Sequence, residues 1–242
     1  METAKRTGGS LVNLRRVPGA GRLYRAAAPA GLGPEGLAAL EALSLGTIVD
    51  LREPAEAAAA PGHLPAGARY VSVPLYRGQV PLAEPIGAVY ERLLTTRGTE
   101  LAEAVRAVAA GLRSPAGKPD GVLVHCAAGK DRTGLVVALA LAAAGTARAG
   151  IVADYCRSGE GLSADYRSRV AARLGALLPP GPELDTALEL HLASPASALE
   201  SALDLLETRY GGAADFLLAH GLDPAELAAL CRDLGTPVGA HA

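Results

Sequence analysis

Residues 121–145, GVLVHCAAGKDRTGLVVALALAAAG, join a short β-branched run to a longer Leu- and Ala-rich run through a loop that carries Cys126, Lys130, Asp131 and Arg132. The first run is too short for a helix and reads as a buried strand, and the second reads as a buried helix starting at Thr133. Charges squeezed between two segments that both need burial must face something that requires them. A strand leading through a tight turn into a buried helix is the building unit of an α/β sheet. In such sheets ligands bind beyond the carboxyl ends of the strands, where helix amino termini present free backbone N–H groups.

The preceding chain repeats the pattern. LGTIVDLRE contains a strand candidate at Thr47–Val49 that ends in Asp50, Arg52 and Glu53, and ARYVSVPL, residues 68–75, is a second strand, closed by Pro74. Helical spacing appears in GPEGLAALEALSLG before the first strand, and in EPIGAVYERLL and TELAEAVRAVAAGL between the second and third. Strands alternating with helices imply an α/β fold, a central sheet packed by helices. After Gly145 the pattern is helical almost to the end, broken at LLPPGPE and at Gly211-Gly212, with Asp223-Pro224 as a helix start. The segment between residues 76 and 118 is long for a crossover and carries two helical patterns. Either a lid or insertion over a site, or ordinary covering helices, would account for it. The first ten and last six residues are expected to fray.

At 242 residues the chain is long enough for one large domain, 1–242, with the helices of about 183–235 packed on it. A net charge of −2 excludes a nucleic-acid binder that works through a broad basic face. Cys126, Cys156 and Cys231 are too few and too unevenly spaced for a disulfide framework or a zinc site. His63, His191, His220 and His241 are scattered without ligand spacing, so neither a metal nor a cofactor is expected. The opening METAKRTGGSLVNLRR lacks the apolar core of a Sec signal, and the longest apolar run, residues 135–145, is too short to cross a bilayer. A cytoplasmic protein without stable membrane insertion is the expectation, export by another route remaining open.

The loop can be read two ways as an anion site. A nucleotide-binding Walker A loop needs Gly where Val124 stands and Ser or Thr where Asp131 stands, so that reading fails. The other uses the CxxxxxR spacing of Cys126 and Arg132. A helix amino terminus and a guanidinium lower a thiol's pKa, and the same groups can hold three phosphoryl oxygens with phosphorus in line with sulfur. The nest of N–H groups spans Ala127, Ala128, Gly129, Lys130, Asp131 and Arg132, and Gly129 lets the backbone curl. Thr133 can hydrogen-bond the sulfur and help it leave. The chemistry is phosphoryl transfer through a phosphocysteine.

The string His125–Gly134 resembles the HCxxGxxR[ST]G signature of the cysteine-dependent protein-tyrosine phosphatase superfamily, and its Lys-Asp-Arg is similar to bacterial atypical phosphatases of the PtpB type. NLRRVPGAGRLYRAAAP, TIVDLREPAE, IVADYCRSGEGL, ALDLLETRYGG and GLDPAELAALCRDLG resemble further segments of that family, so the likeness covers nearly the whole chain. It implies a mostly parallel sheet of the tyrosine-phosphatase kind. It also implies a metal-independent hydrolase acting on phosphotyrosine, with dual specificity open.

Cys126 is the expected nucleophile and Arg132 the phosphate clamp. His125 is assigned a supporting role, hydrogen-bonding the backbone near Cys126. No WPD-like segment follows VSVPL and Trp is absent, so the general acid must come from elsewhere. The resemblance points to Asp131 within the loop, with Asp50 as the competitor. Lys130 adds a cation that would attract a second phosphate, which keeps phosphoinositides beside phosphoproteins as substrates. A pseudophosphatase that binds phosphorylated partners without turnover is the remaining alternative. Arg22 and Arg25 are read as surface salt-bridge formers.

Overall fold

The computed structural model describes residues 11–78, 80–113 and 120–234, so the expected fraying at both ends, Lys118 and His241 lie outside the described residues. Its sheet contains β1 (Arg15–Arg16), β2 (Leu23–Ala27), β3 (Leu45–Asp50), β4 (Arg69–Ser72) and β5 (Gly121–Cys126) in the order β1-β2-β5-β3-β4. Only the β1–β2 pair is antiparallel; β2, β5, β3 and β4 run parallel. This is the mostly parallel, helix-flanked sheet that the sequence implies. β5 is central and buried along its whole length, as an apolar strand covered on both faces should be. Its register sets Cys126 beside Ala27 of β2 and His125 beside Asp50 of β3, so three strands end together at one rim.

Alternation along the strands separates two cores. Ala26, Ile48 and Leu123 face one side and pack with Leu11, Leu45 and Leu40 of α1 (Pro34–Glu41). Leu23, Val49, Val122 and Val124 face the other, where α4 (Gly98–Leu112) and α5 (Asp131–Ala143) lie on the sheet. The side chains of α5 are buried without a break from Arg132 to Leu141. At about 1.5–3 kcal/mol for each large apolar side chain, this burial holds the helix, and therefore the loop at its start, against β5.

The helix begins at Asp131, two residues before the expected Thr133, which puts Asp131 and Arg132 in its first turn. The second expected strand shrinks to Arg69–Ser72, although Val73 and Leu75 beyond it are still buried. β2 escaped the sequence reading because its alternation is broken by the buried Arg25 and by alanines. Also unanticipated was α2 (Pro54–Ala59), a short helix with no buried residue and hence no apolar stripe. It starts on Pro54 and a capping box in which Glu53 and Glu56 each bond the other's backbone N–H.

α3 (Ile86–Thr96) packs on α9 (Ala196–Tyr210), and α4 packs on β3, β5, α5 and α11 (Pro224–Leu234). Leu199, Leu206, Phe216 of α10 (Ala213–Ala219) and Leu230 join the large core. Past α6 (Arg148–Glu160), α7 (Ala164–Leu177) and α8 (Pro182–Leu192) share a small cluster of Leu174, Leu178 and Ala187, against which Ala83 rests, while Leu190 of α8 joins the large core. No helix among the described residues is long and apolar enough to cross a membrane.

Candidate active site

Between β5 and α5 the chain turns through Ala127–Lys130 with Gly129 at φ +68°. A Cβ there would come within 2.3 Å of the Ala26 carbonyl carbon and oxygen, so only glycine lets the loop lie this close to β2. The N–H groups of Ala128, Gly129 and Lys130 donate to no protein acceptor among the described residues. Those of Asp131, Arg132 and Thr133 open α5 and have no partner within it. The site therefore offers a run of backbone donors at the positive end of a buried helix.

Cys126 sits at the base of this run, 3% exposed. Burial opposes the thiolate, but the Arg132 guanidinium, together with the hydroxyl and N–H of Thr133, outweighs it and holds the thiol below its usual value. Thr133 Oγ1 is buried and makes no hydrogen bond among the described residues, which leaves its hydroxyl free to turn toward the sulfur.

Arg132 is fixed on three sides. Its Nη1 and Nη2 donate to Glu56 Oε2 and Oε1 at 2.6 and 2.8 Å, Nη1 also donates to the Leu51 carbonyl at 3.2 Å, and the Tyr76 ring lies 4.6 Å from the guanidinium carbon. A guanidinium has five N–H groups. Glu56 and Leu51 use one edge and an outer hydrogen, leaving Nε and the remaining Nη2 hydrogen as a free fork. Glu56 itself resists burial through Arg132, which holds its carboxyl below the usual range. Glu53 braces the same corner: its carboxylate accepts from the N–H groups of Tyr76 and Gly78 at 2.8 and 2.9 Å.

His125 is 1% exposed, with Nδ1 3.4 Å from the Cys126 carbonyl and 3.7 Å from Asp50 Oδ1. Burial lowers its pKa to about 4, so the ring is neutral near pH 7. Asp50 is fully buried. It accepts from Arg52 Nη2 at 2.7 Å and from the Tyr70 hydroxyl at 2.8 Å, and against burial the Arg52 guanidinium and backbone N–H hold its carboxyl below the usual range. Asp131 differs: its side chain is 17% exposed, Oδ1 accepts from Lys130 Nζ at 2.7 Å and from Tyr90 at 3.1 Å, and Oδ2 has no hydrogen bond among the described residues.

Lys130, expected to offer its charge to a second phosphate, directs its ammonium into the protein. It is completely buried, and besides Asp131 its ammonium donates to the carbonyls of Leu190 and Ala193 at 2.9 and 2.6 Å, all three hydrogens being used. Its backbone remains in the loop, while its side chain ties the loop to the end of α8. Arg25, expected at the surface, is 1% exposed and lies behind the loop. Glu56, Tyr76 and Arg25 were not foreseen as site residues. Each carries a charge or a ring into contact with the loop from another element, and only the ExxE capping pattern at Glu53–Glu56 was open to reading.

A buried low-pKa thiol at a strand end, under a helix amino terminus and beside a clamped arginine, defines a cysteine-based phosphatase. Comparison with known proteins gives the family. Residues 8–236 match the sequence model of the tyrosine phosphatase family, and the chain belongs to that family. It is similar to the triple specificity protein phosphatase PtpB of Mycobacterium tuberculosis, 30% identical over 244 residues that cover 85% of this chain and 87% of that one. A tyrosine-protein phosphatase of Nostoc commune is 29% identical over 211 residues, 81% of this chain and 68% of the other. The crystal structure of TpbA from P. aeruginosa matches 74% of this chain and 91% of its own at 25% identity, with a TM-score of 0.35. The protein is a hydrolase of phosphate monoesters with protein-tyrosine or dual-specificity phosphatase activity.

Proposed function

We propose that residues 1–242 form a single phosphatase domain in which Cys126 attacks the phosphorus of a phosphotyrosine side chain. The observation that carries this reading is the buried Cys126 thiol, held below its usual pKa by Arg132 and Thr133 at the foot of a run of backbone N–H groups, those of Ala128, Gly129 and Lys130 without a protein acceptor among the described residues and those of Asp131 and Arg132 unpartnered within α5. In the first step the S–P bond forms and the P–O bond to the leaving group breaks, with the developing charge on the phosphoryl oxygens met by the loop N–H groups and by the free Nε/Nη2 edge of Arg132. Asp131 gives its proton to the leaving oxygen. In the second, water attacks phosphorus, its proton returns to Asp131, and the S–P bond breaks to release phosphate and regenerate the thiolate.

The partly open Oδ2 of Asp131 supports its role as the acid. Asp50, locked by Arg52 and Tyr70 with no exposure, is supported instead as a support for the β3 end and for His125. Among substrates, phosphotyrosine in proteins is favoured over phosphoinositides, because the Lys130 ammonium that would recruit a second phosphate is already saturated inside the protein. The Tyr76 ring on Arg132 adds an aromatic wall suited to an aryl ester. The relative from M. tuberculosis is named a triple specificity phosphatase, which makes phosphoserine and phosphothreonine secondary candidates.

The test is hydrolysis of p-nitrophenyl phosphate in the presence of a chelator, followed by a panel of phosphotyrosine, phosphoserine and phosphothreonine peptides and phosphoinositides at matched concentration. Chelator-insensitive turnover with the highest kcat/KM on phosphotyrosine is expected. Binding of phosphopeptides without turnover would replace the enzyme with a phospho-binding module, and a leading phosphoinositide rate would overturn the substrate assignment.

A further inference from the structure

Behind the loop lies a buried polar cluster that takes no part in the chemistry above. Arg25 of β2 donates from Nη2 to the carbonyls of Gly129 and Lys130 at 3.0 and 3.2 Å, and from Nη1 to Asp154 Oδ2 at 2.6 Å. Asn13, in the left-handed region at φ 58°, donates from Nδ2 to the carbonyls of Ala128 and Ser158 at 2.9 and 3.0 Å. Asp154 of α6 also accepts from Arg15 Nε at 2.8 Å, and Arg15 Nη2 reaches Ser158 Oγ at 2.9 Å. Arg25, Asn13 and Asp154 are all buried.

Three consecutive loop carbonyls, Ala128, Gly129 and Lys130, thus point to donors on the same side. In a planar trans peptide the carbonyl of one residue and the N–H of the next point in opposite directions. Drawing these carbonyls back toward Arg25 and Asn13 turns the N–H groups of Gly129, Lys130 and Asp131 forward, over Cys126. The Lys130 carbonyl also accepts from the Gly134 N–H at 2.7 Å, but without such donors the Ala128 and Gly129 carbonyls would be free to rotate into the seat and repel both the thiolate and a bound phosphate.

We infer that Arg25 and Asn13, with Asp154 as the counter-charge, are positioning residues that hold the phosphate loop in its anion-binding conformation. The guanidinium suits the task because one planar group spans two carbonyls and a carboxylate at once. Although burial works against it, Asp154 is held ionised by Arg25 and Arg15, so the buried Arg25 guanidinium keeps a charged partner inside the protein. This inference rests on the phosphatase reading of the loop, but it concerns anion binding and thiolate stability, which can be measured without turnover.

The test uses the full chain and the variants Arg25→Met, Arg25→Lys and Asn13→Ala. Two quantities are read: the pH midpoint of Cys126 alkylation by iodoacetamide, located by mass at that residue, and the protection from alkylation given by inorganic phosphate. With folding verified by circular dichroism, Arg25→Met is expected to move the midpoint upward and to weaken phosphate protection by about tenfold or more. Arg25→Lys should fall between, since an ammonium keeps the charge but not the planar fork that reaches the loop carbonyls and Asp154 from opposite ends. Should Arg25→Met fail to fold, Asn13→Ala, which removes the single donor to Ala128, carries the test with a smaller shift in the same direction. A folded Arg25→Met or, in its place, Asn13→Ala protein with the wild-type midpoint and wild-type phosphate protection would overturn the inference. A wild-type protein that shows phosphate protection yet no turnover would instead count against the enzyme reading and leave the brace standing.

Discussion

Arg132 and Glu56 stand 76 positions apart in the chain and meet through two parallel hydrogen bonds of 2.6 and 2.8 Å, so the phosphate clamp of one element is aimed by the carboxylate of another. Charge-assisted pairs of this geometry are worth about 1.5–3 kcal/mol each. Glu56→Gln is therefore expected to lower kcat/KM by about ten- to a hundredfold, with circular dichroism unchanged. Wild-type kinetics in a folded Glu56→Gln protein would show that Arg132 needs no such guide.

The thiol of Cys126 is lowered chiefly by Arg132 working against burial. Replacing Cys126 by Ser is expected to abolish turnover while leaving phosphopeptide affinity near that of the wild type, measured by calorimetry. Arg132→Met should move the pH midpoint of Cys126 alkylation upward, because the loss of the guanidinium leaves burial less opposed. Residual wild-type turnover in Cys126→Ser would remove the phosphocysteine.

If Asp131 is the acid, its removal must matter in proportion to how badly the leaving group needs a proton. Asp131→Asn is expected to reduce kcat by about 10²–10⁴-fold on a phenyl or alkyl phosphate and far less on p-nitrophenyl phosphate. Asp50→Asn should lower stability and affect both substrates alike, since Arg52 would lose its buried partner. The reverse pattern between the two variants would exchange their roles.

Stability should depend on pH through His125. Its folded pKa of about 4 lies below the ordinary value of 6.5. The unfolded chain therefore binds the proton first as pH falls. The contribution is present in full above pH 6.5 and is lost progressively down to pH 4, on the order of 3 kcal/mol in total. Asp50, Glu56 and Asp154, all held below the ordinary carboxylate range, begin to lose theirs as pH falls through the unfolded values of 3.8 to 4.5, at the lower edge of that window. Urea denaturation of wild type and His125→Gln between pH 4 and 7 should show a shallower pH slope in the variant; equal slopes would refute the assignment.

Lys130 tests the choice between anchor and recruiter. Lys130→Met is expected to lower stability by about 1–3 kcal/mol, because the Leu190 and Ala193 carbonyls lose their donor. Its effect on kcat/KM should be the same for phosphotyrosine peptides and phosphoinositides. A selective loss on phosphoinositides would restore Lys130 as a substrate contact.

The linear order of residues already determined the centre of this protein. A β-branched run, a Cys-to-Arg loop with Gly129 and a continuous apolar run can be built only as strand, turn and buried helix. The spacing of Cys126 and Arg132 then dictates which chemistry that turn supports. The alternation of strands and helical patterns likewise carried the sheet class, because period-2 and period-3.6 burial are local properties of the chain. Tertiary structure decided what depends on meetings between distant segments. β2 was hidden because burial of Arg25 against Asp154 inverts the usual meaning of a charge in a strand. α2 was hidden because a helix that buries no side chain leaves no stripe, yet it delivers Glu56 to Arg132. Lys130 changed sides because its acceptors lie at the end of α8, some sixty residues on, where no spacing rule reaches. Local patterns of burial are written in the order of residues; the partner of a buried charge is settled only when the elements pack.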